Sequence, residues 1–192
     1  MPDTPLRLRD NLRVPFLMIA LIGFTTSITA HADVFILEKR QTDVRFVCGM
    51  GLVTVEGRFL DVDGVIDVDE KAREHGHVQM TIKSASLTTG LPLLDQQLKG
   101  DQFFNVAAYP TIDFKGRVTT SKRSTEAKIR GKLSIRGVTR PISIRASASP
   151  PDKDFFLTRF PIRRSEFGMT GWAFLVDDEC EIQIKAALKK HR

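Results

Sequence analysis

Apolar and polar residues alternate along two neighbouring stretches of the chain, residues 128–136 and residues 142–146. A period of two is typical of β-strands that have one buried face and one solvated face. Residues 137–141 between them predict a tight corner, with Pro141 as the first residue of the second strand, because proline has no N–H to donate. Two strands with one solvated face each predict an antiparallel sheet around a single apolar interior.

Similar runs recur along the chain from residue 34 onward and predict further strands. They cover residues 34–37, 44–48, 53–59, 65–68, 78–82, 112–116, 155–162, 172–176 and 182–188. The Asp-Val-Asp-Gly sequence at residues 61–64 predicts a hairpin turn. Short strands at roughly regular spacing, with turn residues between them, indicate an all-β barrel or sandwich.

One segment interrupts this rhythm, between residues 84 and 110. Residues 92–99 have helical spacing, with Leu94 and Leu98 four residues apart and Gly100 as a stop signal. The aromatic pair Phe103 and Phe104 follows the helix. A short helix with an aromatic pair behind it can close one mouth of a barrel or pack on its outside, and the sequence favours neither.

The first 32 residues are predicted to be a secretory signal peptide. Three arginines precede an apolar run at residues 14–22, and an Ala-His-Ala sequence ends at Ala32. Basic residues, an apolar run and small residues follow each other in this order in signal peptides. The apolar run is shorter than the roughly 20 residues of a transmembrane helix. We therefore expect cleavage near Ala32 and one periplasmic domain, residues 33–192.

The chain is basic, with a formal net charge of +6. A basic chain could bind nucleic acid, but the predicted export argues against that partner. The basic residues within 128–136 alternate with apolar ones, which is typical of a solvated strand face. A weak attraction to anionic membrane surfaces, giving transient contact, is the second interpretation. Residues 189–192 predict a frayed basic tail.

Candidate catalytic or metal-binding groups are few in this sequence. His75 and His77 lack a third ligand at metal-site spacing, and their polar neighbours predict a solvated loop. The aspartates at positions 61, 63, 67 and 69 lack the glycine and the bidentate glutamate of a calcium loop. The sequence contains neither a nucleophile elbow nor a phosphate-binding loop. It therefore predicts no enzyme, no metal and no cofactor.

Cys48 and Cys180 are the two cysteines of the chain. Each shares a strand face with apolar residues, so both are predicted to point inward, and the first and last strands of a closed barrel are often neighbours. Export permits a disulfide, which would stabilise the protein by about 4–5 kcal/mol in the chain-entropy model. Two buried free thiols fit the sequence equally well.

Residues 131–141, Gly-Lys-Leu-Ser-Ile-Arg-Gly-Val-Thr-Arg-Pro, resemble the central signature of the YceI family of exported lipocalin-like proteins. Residues 95–114, which contain Leu-Lys-Gly-Asp-x-Phe-Phe, and residues 164–169, Arg-Ser-Glu-Phe-Gly-Met, are similar to other segments of that family. The resemblance covers nearly all of the predicted mature chain. It implies an antiparallel lipocalin-like β-barrel with an elongated apolar cavity and the short helix near a barrel mouth.

The resemblance also implies a function. Characterised members of the family hold long polyisoprenoid chains, such as isoprenoid quinones or polyprenyl phosphates, so the expected partner is an isoprenoid lipid and the expected role is that of a carrier. This chain departs from the family at Gln41-Thr42, which replaces a common His-Ser pair, near Gly49, where a histidine is missing, and at Gln97, which is histidine in many members. If those histidines touch a ligand head group, that contact differs here. A filled barrel that acts in stress or binds a partner is the alternative.

The apolar residues predicted to line the cavity, or to fill the interior if there is no cavity, come from many strands. They are Phe46, Phe59, Met80, Ile82, Leu98, Phe103, Phe104, Phe114, Leu133, Ile135, Phe160, Phe167 and Trp172. Each CH₂ of a lipid buried among them would contribute roughly 0.8 kcal/mol.

Overall fold

The computed structural model describes residues 32–69, 75–120, 125–148 and 155–191. The signal peptide predicted for residues 1–32 lies outside these ranges except for Ala32. The described residues form β1 (Ala32–Leu37), β2 (Asp43–Met50), β3 (Val53–Phe59), β4 (Val62–Asp69), β5 (His75–Lys83), β6 (Leu87–Thr88), α1 (Pro92–Lys99), β7 (Thr111–Thr119), β8 (Glu126–Ile135), β9 (Val138–Ala148), β10 (Phe155–Arg163) and β11 (Val176–Lys190).

The strands form one closed antiparallel barrel. Its ring is β1-β4-β5-β7-β8-β9-β10-β11, and the pairing of β1 with β11 closes it. The long strand β11 also pairs with β2, so β1 and β2 act as two parts of one bent strand. β3 extends this second part by pairing with β2 and β6. The predicted all-β, antiparallel barrel with one short helix is therefore confirmed.

The alternation of residue types decides which side of each strand faces the interior. In β7, Ile112, Phe114 and Val118 are buried, and Lys115 and Arg117 between them are exposed. The same pattern of buried and exposed residues recurs in β2 and β5. These three strands therefore place their buried apolar side chains in the barrel and their charged ones in water.

The turn between β8 and β9 is shorter than predicted. Ile135 lies opposite Val138, which leaves Arg136 and Gly137 as the two turn residues, with φ of +51° and +70°. Positive φ at both positions is the requirement of a tight hairpin turn, and glycine meets it without strain. The prediction that Pro141 begins the second strand is wrong, because β9 begins three residues earlier. The described pairing of β9 with β10 covers residues 146–148, so Pro141 lies outside that ladder.

The hairpin predicted at residues 61–64 is also wrong. Gly64 lies inside β4 and pairs with Met80 of β5. A Cβ on Gly64 would come within 2.4 Å of a methyl carbon of Leu37. The glycine thus allows a side chain of β1 to pack closely against β4, and it makes no turn.

Residues 172–175 form a turn, so the strand predicted for residues 172–176 is wrong. The carbonyl of Trp172 accepts hydrogen bonds from the N–H groups of Leu175 and Val176, each at 2.9 Å, and Trp172 has a φ of +49°. β11 begins only at Val176.

His75 and His77 lie in β5 and not in a loop, although both are exposed as expected. Nδ1 of His77 lies 3.1 Å from a carboxylate oxygen of Asp67 on the neighbouring strand. The predicted tail is also partly wrong, because β11 continues to Lys190 and the N–H of His191 donates to the carbonyl of Val34 at 2.7 Å. Arg192 lies outside the described residues.

Candidate functional site

The inward faces of the strands enclose a cavity of about 770 Å³. Filled protein cores contain few spaces larger than one water molecule, and ligand sites occupy roughly 300–1,000 Å³. The barrel interior is therefore a cavity of ligand size. This observation disfavours the filled barrel that the sequence left open.

Twelve of the thirteen predicted residues lie on the cavity wall. They are Phe46, Phe59, Met80, Ile82, Leu98, Phe103, Phe104, Phe114, Leu133, Ile135, Phe160 and Trp172. Phe167 is buried in the short 3-10 turn Arg164–Phe167 and is not part of the wall. It belongs to no alternating strand pattern, so periodicity cannot place it on the wall.

Many wall residues are absent from that predicted set. Examples are Leu37, Val44, Ile66, Val78, Leu94, Ile112, Val118, Ile129, Ile142, Ile144, Phe156, Ile162, Met169, Ile182 and Ile184. Most of them share a strand face with a predicted residue, so the alternation was the signal that could have found them.

Two glycines make room for an aromatic ring on the wall. Gly116 of β7 lies opposite Gly131 of β8. A Cβ on these glycines would come within 2.9 Å and 2.6 Å, respectively, of the ring atom Cζ of Phe114. A Cβ on them would also come within 2.8 Å and 2.4 Å of the backbone carbonyl oxygens of Arg130 and Lys115. The ring of Phe114 therefore lies over both glycines, and neither position has space for a larger residue.

Aromatic side chains gather at the end of the cavity next to α1. The ring centroid of Phe104 lies 6.1 Å from that of Phe46 and 5.6 Å from that of Phe59. Phe103 packs edge to face on Trp172, with centroids 5.2 Å apart. Such tilted contacts are favourable geometries for aromatic pairs, and they build a continuous apolar wall.

Helix α1 closes this end of the barrel. Leu94 and Leu98 line the cavity, and Leu98 is buried, whereas Leu91 and Leu93 are exposed. Pro92 is placed in the first turn and Gly100 follows the last residue of the helix, as the sequence predicts. Of the two placements that the sequence left open, the structure has the helix at the mouth.

Asp95 fixes α1 to the segment before it. One carboxylate oxygen accepts hydrogen bonds from the N–H of Thr89 at 2.6 Å and from its hydroxyl at 2.7 Å. The other oxygen accepts a hydrogen bond from the hydroxyl of Thr88 at 2.8 Å. The hydroxyl of Thr89, the strongest of these influences, lowers the pKa of the Asp95 carboxyl below its ordinary value. The ionised form therefore holds the helix in place.

Arg164 is a charged residue on the wall and is buried. Its guanidinium donates to four carbonyls, those of Gly171, Val176, Asp177 and Met169, at 2.6, 2.9, 3.0 and 3.4 Å. The side chain thus ties together the turn before β11 and the start of that strand. The sequence placed Arg164 in a family-like segment but assigned it no role.

Cys48 and Cys180 lie directly opposite each other in β2 and β11. They form a disulfide, with their Cα atoms 4.4 Å apart. Of the two states that fitted the sequence, the structure has the bonded one. Both cysteines also line the cavity, so the bond is part of its wall.

Polar residues line the cavity at the opposite end, where β1 begins and β11 ends. These are Asp33, Thr120 and Lys190. Nζ of Lys190 lies 2.5 Å from a carboxylate oxygen of Asp33. The cavity therefore extends from an aromatic end below α1 to a polar end at this ion pair.

The residues at which the sequence departs from its family lie away from the cavity wall. Gln41, Thr42, Gly49 and Gln97 do not line it. The hydroxyl of Thr42 accepts a hydrogen bond from the N–H of Ala187 at 3.2 Å, and Gln97 is exposed on α1. These substitutions leave the apolar wall unchanged.

The chemistry that this site offers is the burial of a ligand's apolar surface away from water. Within the described residues, no group of three or more His, Cys, Asp or Glu side chains is arranged to hold a metal ion. Across the same part of the chain, no helix combines the length and the apolar character needed to span a bilayer.

A closed antiparallel barrel around an apolar cavity defines a class of small-molecule-binding barrel proteins. Within that class, the chain belongs to the YceI family, because the YceI-like domain matches residues 35–188. Protein YceI of Salmonella arizonae is 32% identical over 130 residues, which cover 67% of this chain and 68% of that protein. A UPF0312 protein of Shewanella denitrificans is 29% identical over 135 residues, or 68% of this chain and 71% of the relative.

Solved structures share the same architecture. BcnA of Burkholderia cenocepacia has a TM-score of 0.70 and 22% identity, covering 80% of this chain and 99% of BcnA. A polyisoprenoid binding domain from Saccharophagus degradans has a TM-score of 0.64 and 13% identity, covering 82% of this chain and 98% of that domain. At these identities the comparison establishes the fold.

Proposed function

We propose that this protein is a periplasmic lipid carrier that holds a polyisoprenoid, of the isoprenoid quinone or polyprenyl phosphate type, in its barrel. The observation that carries this proposal is the cavity of about 770 Å³, whose wall is almost entirely apolar. Membership of the YceI family and the fold shared with a polyisoprenoid binding domain support it. Export through the signal peptide predicted for residues 1–32 is part of the proposal.

Binding requires no catalytic group in this mechanism. Each buried CH₂ contributes roughly 0.8 kcal/mol, so a long prenyl chain binds through its length. The wall provides aromatic and aliphatic contacts over its whole extent and few polar atoms. The chain can therefore be held without a fixed pattern of hydrogen bonds, and the protein acts by shielding the lipid from water.

The test is native mass spectrometry, with lipid extraction, of the protein purified from its own host. We expect bound species with the masses of isoprenoid lipids. The lipid-free protein should also take up ubiquinone-8, which would quench the fluorescence of Trp172, the single tryptophan of the chain and part of the wall. A protein that is empty after purification and takes up no quinone would contradict the proposal.

A cavity-filling substitution gives this experiment a matched control. Ile142 lines the cavity, and its neighbour Ser143 is exposed on the same strand. Ile142→Trp places a large ring in the space for the ligand and should reduce the bound lipid at least tenfold, because several methylene contacts are lost. Ser143→Trp adds the same ring outside the barrel and should retain the lipid. Equal lipid content in the two variants would place the lipid outside the cavity.

A further inference from the structure

Six exposed basic side chains stand on the outer surface of three adjacent strands, β7, β8 and β9. They are Lys115, Arg117, Lys128, Arg130, Lys132 and Arg145. We call this set the basic face. Some of its members are far apart in the sequence, and the pairing of the strands brings them together.

The strand register places these residues in pairs of like charge. The directly opposed pairs are Lys115 with Lys132, Arg117 with Arg130, and Lys128 with Arg145. Like charges directly opposite each other destabilise an antiparallel sheet. The fold therefore carries an electrostatic cost on this face, which an anionic partner would relieve.

Carboxylates do not neutralise the basic face from within. In the described part of the chain, none of its six side chains takes part in an ion pair or a side-chain hydrogen bond. The carboxylates described on the same three strands are Asp113 and Glu126, at opposite ends of the face. Asp113 accepts hydrogen bonds from the hydroxyls of Thr81 and Thr111, each at 2.8 Å.

The other side of the barrel has a different charge pattern. On the outer surface of β2, Nε of Arg45 lies 2.5 Å from a carboxylate oxygen of Asp43. On the adjacent β11, Glu179 is opposite Arg163 of β10, and Glu181 accepts a hydrogen bond from Gln183 at 2.6 Å. Charges of both signs mix there, so the excess positive charge is concentrated on β7–β9.

The shape and composition of the basic face decide between classes of anionic partner. Neighbouring strands are about 4.8 Å apart and alternate residues about 6.8 Å apart, so the charges form a grid of about 14 by 10 Å. The outward positions of these described strands hold Lys, Arg, Thr, Ser, Asp, Glu and Pro. They provide no aromatic ring on which nucleic-acid bases could stack. A grid of cations without such rings matches the phosphates of a lipid surface.

We propose that the basic face docks this protein on an anionic membrane surface. This inference rests on the proposed function, since a carrier of membrane lipids has to reach a membrane to load or deliver them. Each basic residue held near an anionic surface favours binding about fivefold, so six residues acting together hold the barrel at the surface reversibly.

The test measures cosedimentation of the purified protein with vesicles that contain no isoprenoid lipid. We expect binding to phosphatidylcholine vesicles with 30% phosphatidylglycerol in about 50 mM salt and little binding to pure phosphatidylcholine. About 0.5 M NaCl should abolish the binding, because charges at the surface are then screened within a few ångströms. Since cavity occupancy is not measured, this experiment can fail without affecting the carrier proposal, and the reverse also holds.

Two double variants locate the binding surface. R117Q with R130Q removes one opposed pair from the basic face and should lower vesicle affinity about 25-fold, at two factors of about five. R45Q with R58Q removes another directly opposed arginine pair, on β2 and β3, with the same loss of net charge. This second variant should bind vesicles within about twofold of the wild type.

The outcomes separate the alternatives. Equal weakening by the two double variants would show that net charge alone acts and would overturn the assignment to this face. Binding that ignores lipid charge or salt would also overturn it. Tighter binding to a DNA oligomer or to polyglutamate than to the vesicles would replace the membrane with another polyanion. If the melting temperature of the R117Q and R130Q double variant is at or above that of the wild type, unfolding is excluded as the cause of lost binding.

Discussion

Arg164 shows how one residue organises the aromatic end of the barrel. A buried guanidinium is costly unless its N–H groups are satisfied, and here four carbonyls accept from it. Three of these carbonyls belong to Gly171, Val176 and Asp177, around the turn that contains Trp172. The side chain therefore holds in place a segment without regular secondary structure, including the tryptophan on the cavity wall.

Replacing Arg164 tests this role. Arg164→Met keeps much of the volume but leaves several buried carbonyls without donors, so the free energy of unfolding should fall by about 3 kcal/mol. Arg163→Met, at the exposed neighbouring residue, should change it by about 0.5 kcal/mol or less. Urea denaturation followed by circular dichroism measures both variants. A similar loss of unfolding free energy in both variants would show that the hydrogen bonds from Arg164 to the carbonyls do not stabilise the protein.

At the scale of secondary structure, α1 is the element that closes the cavity. It contributes Leu94 and Leu98 to the wall and is short, so its stability depends on tertiary contacts more than on its own hydrogen bonds. Asp95 supplies one such anchor through Thr88 and Thr89. The opening of this end should therefore depend on the charge state of one carboxyl group.

The pKa of Asp95 is lowered in the folded protein, so its anchoring contribution has a defined pH range. The contribution is fully present above the ordinary carboxyl pKa of about 3.9. It is lost as the pH falls through the lower, folded value. We therefore expect a stable anchor at neutral pH that weakens only in acid.

Asp95→Asn weakens this anchor at neutral pH, because the amide lacks the charge and one of the two acceptor oxygens. The amide protons of α1 should then exchange with solvent about fivefold faster at pH 7, as the loss of a typical hydrogen bond implies. Asp101→Asn, just beyond the helix, should leave the exchange rates unchanged. Hydrogen–deuterium exchange detected by mass spectrometry measures both variants. Unchanged α1 exchange in Asp95→Asn would show that the leucine contacts alone hold the helix.

For the molecule as a whole, the disulfide joins two neighbouring strands that lie far apart in the sequence. Cys48 and Cys180 are 132 residues apart in sequence, and the bond joins β2 to β11, next to where β1 closes the ring. A bond across so long a loop restricts the unfolded chain strongly. The bond therefore stabilises a pairing between strands from opposite ends of the described chain, directly beside the β1–β11 pairing that closes the ring.

The double variant C48S with C180S should lower the free energy of unfolding by about 2–5 kcal/mol. The wild-type protein treated with a reductant should lose a similar amount, which serves as the control. Thiol titration of the denatured, unreduced wild type should find no free thiol, and two reactive thiols would contradict the bond.

The sequence by itself determined most of the strands, the helix and most of the inward faces, because these follow from local periodicity. Alternation placed Phe46, Met80 and Leu133 inside, and the spacing of Leu94 and Leu98 located α1. Turn rules gave a wrong prediction at Gly64, because this glycine makes space for the side chain of Leu37 and forms no turn. The sequence predicts a strand at Trp172, but the residue lies in a turn. Arg164 maintains that turn, and no local pattern reveals this contact.

Only the tertiary structure decided what the strands enclose. A filled core and a cavity need the same inward apolar residues, and the difference lies in the space left between opposite walls. The placement of α1, the bond between Cys48 and Cys180 and the grouping of the basic face likewise depend on which strands are neighbours. Strand pairing brings together residues that are far apart in the chain, and periodicity along a single chain carries no information about those distances.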